Sequence, residues 1–410
     1  TGRKAFAAEI KEGKTTGIRN EARLQETAGA HALDINVGVP GIDEVASMRR
    51  AVFAVNENSV LPAVIDSSNP EAVLAGLRAV DGRPLVNSIS GEEKKLETIL
   101  PLAREYGAAV LGLALDDDGI PDTAEGRFAV VERMLNRVIK AGMRKEDLVV
   151  DCLAMTVSAA PLSAMETLKA IRMVKERLGL STVLGVSNIS FGLPAREVIN
   201  ANFLTMAIEA GLDAAIINPN NKAMMDAYHA SLVLLNRDLR AERYIKRHQA
   251  LTEAAPASAP EEASGSCAPA GIGERLKSAI INGDEENITA LVEEALKEGW
   301  EPLKISNEAL VPGLEEVGRL FASNRYYLPQ VMLSAETMKK AFARLKVEMK
   351  GKKGKTLGKV LLATVEGDIH DIGKNIVATL LENHGFEVID LGKNVSADRI
   401  VEEAEKNKVD

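Results

Sequence analysis

The stretch HALDINVGVPGIDEVASMRRAVFAV at positions 31–55 decides the fold, because it joins a strand-like run to a helix-like run. HALDINVG is mostly apolar, which is typical of a short strand buried on both faces. The residues after it repeat apolar positions at the spacing of an amphipathic helix. The unit recurs, and seven strand-like runs can be counted: HALDINVG, LPAVIDS, RPLVNSIS, VLGLALD, DLVVDCLA, STVLGVSN and LDAAIINPN.

Repeated strand and helix units predict an α/β protein whose parallel sheet closes into a TIM barrel. A closed (β/α)8 barrel has eight strands, one more than the runs counted here. The chain begins with a helix-like run at about positions 4–28. We therefore expect the eighth strand before Thr1, as part of a longer polypeptide.

The second part of the chain changes pattern twice. Positions 250–273 read ALTEAAPASAPEEASGSCAPAGIG, a composition typical of a mobile linker. Four stretches with helical spacing then predict a four-helix bundle, and KVLLATV, IGKNIVATLLENHG and EVIDLG predict the start of a doubly wound sheet, which we expect to continue beyond the last residue. The predicted modules are the barrel at 1–248, a linker at 249–271, the bundle at 272–350 and the partial doubly wound domain at 356–410.

Composition argues against several classes of protein. The formal net charge is −9 and the isoelectric point is about 5.4, unlike the basic face that nucleic-acid binding requires. No apolar run reaches the ~18 residues of a membrane span, and the N-terminal run lacks a signal-peptide core. The two cysteines, Cys152 and Cys267, support neither a disulfide framework nor a zinc site. We expect a cytoplasmic protein that binds small molecules rather than nucleic acid or membrane.

Polar residues end the strand-like runs of the barrel, where TIM barrels carry their active sites. They are Asp34, Asn36, Asp66, Asn87, Asp116, Asp151, Asn188 and Asn218. The set contains no His or Cys, so it is a poor site for zinc or a thiol nucleophile. Carboxylates accept hydrogen bonds from ring amines, and Asn both donates and accepts, which suits a neutral heterocycle. Capping of the following helices is the alternative, most of all for Asp34, Asp116 and Asn218.

Four stretches carry a family resemblance: LDINVGVPGIDE, VIDSSNPEAVLAGL, VNSIS and LGVSNISFGLPAR. They resemble the pterin-binding barrels of the dihydropteroate-synthase-like superfamily. They more closely resemble the methyltetrahydrofolate-binding modules of cobalamin-dependent methionine synthases and of methyltetrahydrofolate–corrinoid methyltransferases. The resemblance extends over positions 1–248. It implies that Asp66, Asn87 and Asp151 hydrogen-bond the pterin, and that Asn188 lies near its N5 nitrogen.

The same resemblance implies that the pterin pocket is completed by Ser67, Gly185, Phe191 and Arg196. Arg196 could also reach the glutamate tail of the folate. A tertiary amine is a poor leaving group, so the N5 nitrogen needs a proton during methyl transfer. Asn188 cannot supply a proton at neutral pH, and we expect it to orient a hydrogen-bonded network. The residues expected to take part in catalysis are Asn188 and Asp151.

The loop VEGDIHDIGKN at positions 365–375 lies between a strand-like and a helix-like run, where doubly wound sheets bind ligands. His370 can present a ring nitrogen to a metal, Asp368 can hydrogen-bond the other nitrogen, and Gly373 permits close approach of a bulky ligand. The alternative is a capped loop with an exposed His. Asp-x-His-x-x-Gly after a helical bundle resembles the cobalamin-binding signature, which implies that His370 is the lower axial ligand of cobalt.

The cobalamin resemblance implies roles for further residues. The nucleotide tail would lie against Gly367, Asp368, Ile369, His370 and Asp371. The upper face of the corrin would be shielded by Phe321, Leu328 and Val331, for which ordinary bundle core is the alternative. The serine that completes the family's Asp–His relay has no match in the 410 residues, so we expect weak or no cobalamin binding unless more protein follows.

Together the resemblances imply that cob(I)alamin takes the N5-methyl group of methyltetrahydrofolate and becomes methylcobalamin. In a methionine synthase the final acceptor is homocysteine, which is held by a zinc-containing module outside this sequence. That module and a reactivation module are the expected partners, in the same chain or as separate proteins. Two alternatives stay open: a methyltetrahydrofolate–corrinoid methyltransferase of acetogenic or other one-carbon metabolism, and a cobalamin-binding sensor.

Overall fold

Seven parallel strands follow one another in chain order and form one sheet, as the sequence pattern predicts. The computed structural model describes residues 4–253, 271–349, 357–368, 374, 377–378, 381–382 and 385–410. Each strand is hydrogen-bonded to the next one along the chain, which is the pairing of a TIM barrel. The strands are β1 (Leu33–Asn36), β2 (Ala63–Asp66), β3 (Leu85–Ser90), β4 (Ala109–Leu113), β5 (Leu148–Asp151), β6 (Ser181–Gly185) and β7 (Ala214–Ile216).

Helices alternate with these strands, and two more precede the sheet. Several begin at a side chain that caps the first turn: Asp43, Asn69, Thr123 and Asn221 each accept a backbone N–H. The helices are α1 (Lys4–Lys11), α2 (Thr16–Thr27), α3 (Glu44–Asn56), α4 (Pro70–Ala79), α5 (Glu93–Glu105), α6 (Ala124–Lys140), α7 (Ser163–Met173), α8 (Arg196–Glu209) and α9 (Lys222–Leu234).

The strands bury one face against these helices. Along β1, Leu33 and Ile35 are buried, whereas Asp34 and Asn36 are exposed. Alternate residues of a strand point to opposite faces, so the polar pair lies on the face away from the helices. The apolar residues of β1 therefore build the core, and its polar residues lie on the opposite face of the sheet.

Contacts divide the chain into two compact units, Thr1–Asp238 and Leu239–Asp410. The predicted end of the barrel at residue 248 falls inside α10 (Glu242–Glu253), which belongs to the second unit. The predicted linker, 249–271, lies mostly outside the described residues. Within its described residues, the other helices of this unit are α11 (Ile272–Asn282), α12 (Ile288–Lys297), α13 (Pro302–Ile305), α14 (Val311–Ala322), α15 (Leu328–Met349) and α16 (Ala397–Asn407).

Helices α11 to α15 bury a common apolar core, which confirms the predicted helical bundle. Its fully buried side chains include Leu276, Ile280 and Met338. A π-helical turn at Ser306–Leu310 joins α13 to α14, so these two helices form one continuous helical segment. The bundle therefore has four helical segments, as predicted. Gly313 permits close packing, since a Cβ atom there would lie 2.9 Å from Cβ of Ile280.

The last segment holds two parallel strands, β8 (Lys359–Leu362) and β9 (Glu387–Asp390). Lys374 lies between them in the chain, and its Nζ donates to Asp390 Oδ1 at 2.6 Å. This arrangement is the start of a doubly wound sheet, as predicted. Across the parts of the chain that the structure describes, no helix has both the length and the apolar character needed to cross a bilayer.

The approach of α4 to the sheet depends on Gly76. A Cβ atom at this position would lie 2.6 Å from Cγ2 of Ile65, a β-branched and fully buried residue of β2. We predict that Gly76→Ala lowers the free energy of unfolding by about 1–3 kcal/mol, because the buried Ile65 cannot move aside freely. Urea denaturation followed by circular dichroism measures this change.

Gly318→Ala is the matched control, because Gly318 also lies in a helix but a Cβ atom there would have no neighbour within 4 Å. This substitution should stabilise the bundle by up to about 1 kcal/mol through helix propensity. Destabilisation by both substitutions, or by neither, would show that the contact between Gly76 and Ile65 does not limit packing.

Candidate functional site

The carboxyl ends of the first three strands bring acids and amides side by side. The parallel register pairs Asn36 with Asp66 and Asp66 with Asn87. Asn36 Nδ2 donates to Asp66 Oδ2 at 2.9 Å, and Asn87 Nδ2 donates to Asp34 Oδ1 at 3.3 Å. The four side chains therefore form one network on the inner face of the sheet, which we call the strand-end network.

Two carboxyl groups in this network are hydrogen-bonded to each other. Desolvation, followed by the charge of Asp66, raises the pKa of Asp34 to about 7. The pKa of Asp66 is also raised by desolvation, although hydrogen bonds from Asn36 and Asp34 oppose this shift. Two neighbouring carboxylates repel each other, so one proton is shared. Below about pH 7, Asp34 is therefore the acid that holds the proton, and its hydroxyl group donates a hydrogen bond to Asp66.

For three strand-end residues, Asp34, Asp116 and Asn218, helix capping is the alternative to ligand binding. The hydrogen bonds of each residue distinguish the two roles. Asp34 bonds to Asp66 and Asn87, so it belongs to the strand-end network and caps no helix. Asp116 accepts from its own turn at Asp118 N and forms an ion pair with Arg133. Asn218 accepts from Asn220 N at 3.0 Å, a local turn before α9. Local structure accounts for the latter two residues.

Asp151 ends β5 and is buried, with 7% of its surface exposed. Its Oδ1 accepts from Leu153 N at 2.7 Å, and a backbone hydrogen bond from Gly185 also favours the charged form. Burial nevertheless dominates and raises the pKa of Asp151 to about 6. Near neutral pH the side chain is a largely ionised acceptor in a site with little water.

Ser67 follows β2 and is buried. Its Oγ donates to Glu44 Oε1 at 2.5 Å and accepts from Asn69 N at 3.0 Å. These bonds join the end of β2 to the start of α3 and of α4. The hydroxyl group therefore holds the turn after Asp66, and a contact of Ser67 with pterin stays a prediction.

The loop after β6 carries the remaining predicted pterin residues. Asn188 is exposed, and a Cβ atom at Gly185 would lie 3.2 Å from its Nδ2. Arg196 donates to Ser187 O at 2.8 Å and to Ser190 Oγ at 3.0 Å. Its guanidinium group lies 5.7 Å from the ring centre of Phe191, a side chain 66% exposed. Arg196 thus shapes this loop and supports the exposed aromatic ring.

Two hydroxyl groups of the loop after β5 form hydrogen bonds to the loop that carries Phe191. Thr156 Oγ1 donates to Phe191 O at 2.7 Å, and Ser158 Oγ donates to the same oxygen at 2.9 Å. The loops after β5 and β6 are therefore connected beside Asp151. This brings Asp151, Gly185 and the Asn188 loop together at one edge of the sheet, as the sequence predicts.

A cavity of about 690 Å³ runs along β1. Its apolar lining includes Ile10 and Ala22 of the first two helices, and its polar lining consists of Glu21, Gln25, Asp34, Asn36, Ser187 and Asn218. Sites for small molecules commonly have volumes of about 300–1,000 Å³. Asp66, Asn87 and Asp151 do not line this cavity, so it adjoins the strand-end network without containing all of the predicted site.

Arg127 is not among the residues predicted from the sequence, although it is a buried cation that contacts the backbone directly after Asp151. This residue lies in α6 with 2% of its surface exposed, and it donates to the carbonyl oxygens of Cys152 and Leu153. The sequence does contain a signal, since position 127 continues the buried apolar stripe of α6 through Val130, Val131, Met134 and Val138. A charged residue on such a stripe indicates a buried polar contact.

The cobalamin residues are only partly within the described chain. Ile369, His370, Asp371 and Gly373 lie outside the described residues. Gly367 has a φ of 85°, and its N–H donates to Asn394 Oδ1 at 2.9 Å, while Asp368 O accepts from Asn394 N at 3.2 Å. The loop that begins at Val365 is therefore held against the segment after β9.

The three bundle residues differ in exposure. Phe321 and Leu328 are 47% and 37% exposed, whereas Val331 is 8% exposed. Exposed apolar side chains on a bundle fit contact with an apolar ligand surface such as a corrin face. Val331 has the exposure of ordinary bundle core. Its contact with a corrin stays a prediction, as do those of Phe321 and Leu328.

The shared proton predicts how stability depends on pH. The pKa of Asp34 is about 7 in the folded chain, against an ordinary value of 3.8. The folded state therefore binds the proton more tightly, and its stability falls as pH rises from about 4 to about 7. We predict that Asp34→Asn stabilises the barrel more at pH 8 than at pH 5, as measured by urea denaturation.

Asp116→Asn is the control, because this carboxylate pairs with a cation instead of another acid. Its effect on stability should not become more favourable as pH rises. The acid pair would be refuted if Asp34→Asn shifted the free energy of unfolding equally at both pH values.

Comparison with known proteins agrees with this arrangement of modules. Residues 1–218 match the family of pterin binding enzymes, while residues 272–346 and 358–410 match two families described as B12 binding domains. The methionine synthases of Mycobacterium tuberculosis and Mycobacterium leprae are each 36% identical to the chain and cover 95% of it. The chain spans 34% of the length of each of these relatives.

Among solved structures, the methanol:cobalamin methyltransferase complex MtaBC from Methanosarcina barkeri is similar to 41% of this chain and 66% of its own. The sequence identity is 34% and the TM-score is 0.33. The family matches cover the barrel, the bundle and the last segment, and they confirm the resemblance predicted from the sequence motifs. The chain therefore belongs to the pterin-binding enzymes, and its C-terminal part carries two segments that match B12-binding domains.

Proposed function

We propose that the barrel binds methyltetrahydrofolate and gives up its methyl group to cobalamin held by the C-terminal segments. One observation carries this proposal: acids and amides meet at the carboxyl edge of a sheet whose sequence matches pterin-binding enzymes. The match to B12-binding domains in the same chain supports cobalamin as the acceptor. The reaction class is a cobalamin-dependent methyl transfer.

The donors and acceptors of the site suit a pterin ring. A pterin presents several N–H groups and a carbonyl oxygen in one plane. The carboxyl groups of Asp66 and Asp151 can accept from the N–H groups, and Asn87 can donate to the carbonyl group. Buried acids discriminate strongly, because a ligand that lacks the matching donors leaves them unpaired. Ser67, Gly185, Phe191 and Arg196 would complete the pocket, with Arg196 nearest to the glutamate tail.

Methyl transfer also requires that the N5 nitrogen be made a better leaving group. A proton at N5 does this, and a hydrogen-bond acceptor that faces it stabilises the protonated donor. Asn188 is the proposed residue near N5, where its amide orients a hydrogen-bonded network. Asp151 supplies negative charge in a site with little water, which favours a cationic donor.

Cobalamin, when bound, supplies a cobalt centre that takes up the methyl group. His370 would hold the cobalt and Asp368 would orient its ring. The nucleotide tail would lie along the residues from Gly367 to Asp371, including Ile369, and Gly373 would permit close approach of the bulky ligand. The bundle residues Phe321, Leu328 and Val331 would cover the other face. In the whole protein, we propose homocysteine as the final acceptor, with homocysteine-binding and reactivation modules as partners and the cytoplasm as the location.

Asp151→Asn tests the pterin site directly. The substitution keeps the shape of the side chain but removes the charge that accepts from the ligand. A hydrogen bond to a charged group is worth about 1.5–3 kcal/mol, so methyltetrahydrofolate should bind about 10- to 100-fold more weakly. Calorimetric titration measures binding, and transfer of an isotope-labelled methyl group to added cob(I)alamin measures the reaction.

Asp116→Asn again provides the control, because this strand-end carboxylate is engaged by Arg133 and by its own turn. It should change neither binding nor transfer by more than about twofold. Unchanged binding in Asp151→Asn, with folding confirmed by circular dichroism, would exclude Asp151 as a pterin ligand. A wild-type chain that binds no pterin would refute the proposed function itself.

A further inference from the structure

The side chain of Arg127 is enclosed within the barrel unit and makes an unusual set of hydrogen bonds. Its Nε donates to Pro121 O at 2.9 Å. Its Nη1 donates to Cys152 O at 3.1 Å, to Leu153 O at 2.9 Å and to Thr167 Oγ1 at 2.9 Å. These partners are three backbone carbonyl groups and one hydroxyl group, so the planar guanidinium group holds several backbone segments together.

Burial of this cation is costly, because it loses its hydration. Burial lowers the pKa of Arg127, although the negative charges of Glu166, Asp122 and Asp151 oppose the shift. An uncharged side chain of the same shape would lose less hydration free energy when it is buried at this position. The fold nevertheless keeps the cation, and Asp151 lies one residue before Cys152, whose carbonyl group Arg127 holds.

The clamped segment has an unusual backbone. Leu153 has a φ of 62°, in the left-handed region that a side chain with a Cβ atom disfavours. In this conformation Leu153 N–H donates to Asp151 Oδ1 at 2.7 Å. The carbonyl group of the same residue is held by Arg127 and by Thr167 Oγ1, the latter at 2.9 Å. Arg127 and Thr167 thus fix the turn that aims an N–H group at the acid.

We propose that Arg127 is a positioning residue for Asp151: it holds the turn after β5 in its left-handed conformation and so keeps the carboxyl group aimed at the pterin. This inference rests on the proposed function, in which Asp151 accepts from the ligand. The groups that face Asp151 are the N–H groups of Leu153 and Gly185, the charge of Arg127 and the buried thiol of Cys152. Arg127 is the cation in this set.

The positive charge of Arg127 lowers the pKa of Asp151, against the dominant effect of burial. Arg127→Met removes both the charge and the clamp, so the pKa of Asp151 should rise by about one pH unit. Arg127→Lys keeps a charge but cannot hold several acceptors in a planar fork. It should therefore weaken pterin binding about tenfold with a smaller change in the pKa.

Two readouts make the test independent of the proposed function. Carbon NMR of the chain with labelled aspartate gives the pKa of Asp151 without ligand, and calorimetry from pH 5 to pH 8 gives the affinity for methyltetrahydrofolate. Arg133→Met is the matched control, because Arg133 lies on the same helix and pairs with Asp116 at the surface. Neither readout should move by more than the experimental error in this variant.

Thr167→Val is the milder variant, and it decides the outcome if Arg127→Met fails to fold. It removes one acceptor of Arg127 and the bond to Leu153 O while keeping the volume of the side chain. Pterin affinity should fall about threefold to tenfold, with a smaller rise in the pKa of Asp151 than in Arg127→Met.

The results separate the two claims. A raised pKa of Asp151 in a chain that binds no pterin would support the positioning role and refute the proposed function. Pterin binding in the wild type, with the pKa of Asp151 and the affinity unchanged in Arg127→Lys and Thr167→Val, would overturn the inference about Arg127.

Discussion

The parallel register of the barrel strands is the constraint on which the site depends. In a parallel sheet every strand runs in the same direction, so the carboxyl ends of all strands meet at one edge. Residues far apart in the chain, such as Asn36, Asp66 and Asn87, become neighbours there. A slip of one residue in one strand would turn its polar side chain towards the helices. The same apolar packing that sets the register therefore also assembles the polar site.

Several acids at one edge are unfavourable, because their charges repel one another and lose hydration. The structure reduces this penalty in two ways. Desolvation raises the pKa of Asp34 to about 7 and that of Asp151 to about 6. The first acid shares a proton with Asp66, whereas the second is stabilised by backbone N–H groups and a buried cation. The first arrangement keeps a proton between Asp34 and Asp66, and the second favours the ionised form of Asp151. A flat heterocycle with several N–H donors is the class of ligand that such an edge recognises.

The sequence predicts the architecture well, because it depends on local patterns. Short apolar runs and helical periodicity are enough to count the seven strands of the sheet and the four helical segments of the bundle. The strand-end position of Asp66 and Asp151 follows from the same patterns. The pairing of Asp34 with Asp66 does not, since it depends on the register of two strands thirty residues apart and on the face that each side chain occupies. Arg127 is missed for a related reason: a charged residue on a helix is usually on the surface, and only the apolar stripe around it indicates burial.

A crystal structure of the chain with bound methyltetrahydrofolate would test the central claim most directly. We expect a pterin ring at the carboxyl edge of the sheet, with its N–H groups within about 3 Å of the carboxylates of Asp66 and Asp151. We also expect Asn87 to donate to the ring carbonyl group and N5 to face the loop that carries Asn188. A pterin bound elsewhere on the barrel, or one that makes no hydrogen bond to either carboxylate, would contradict the account.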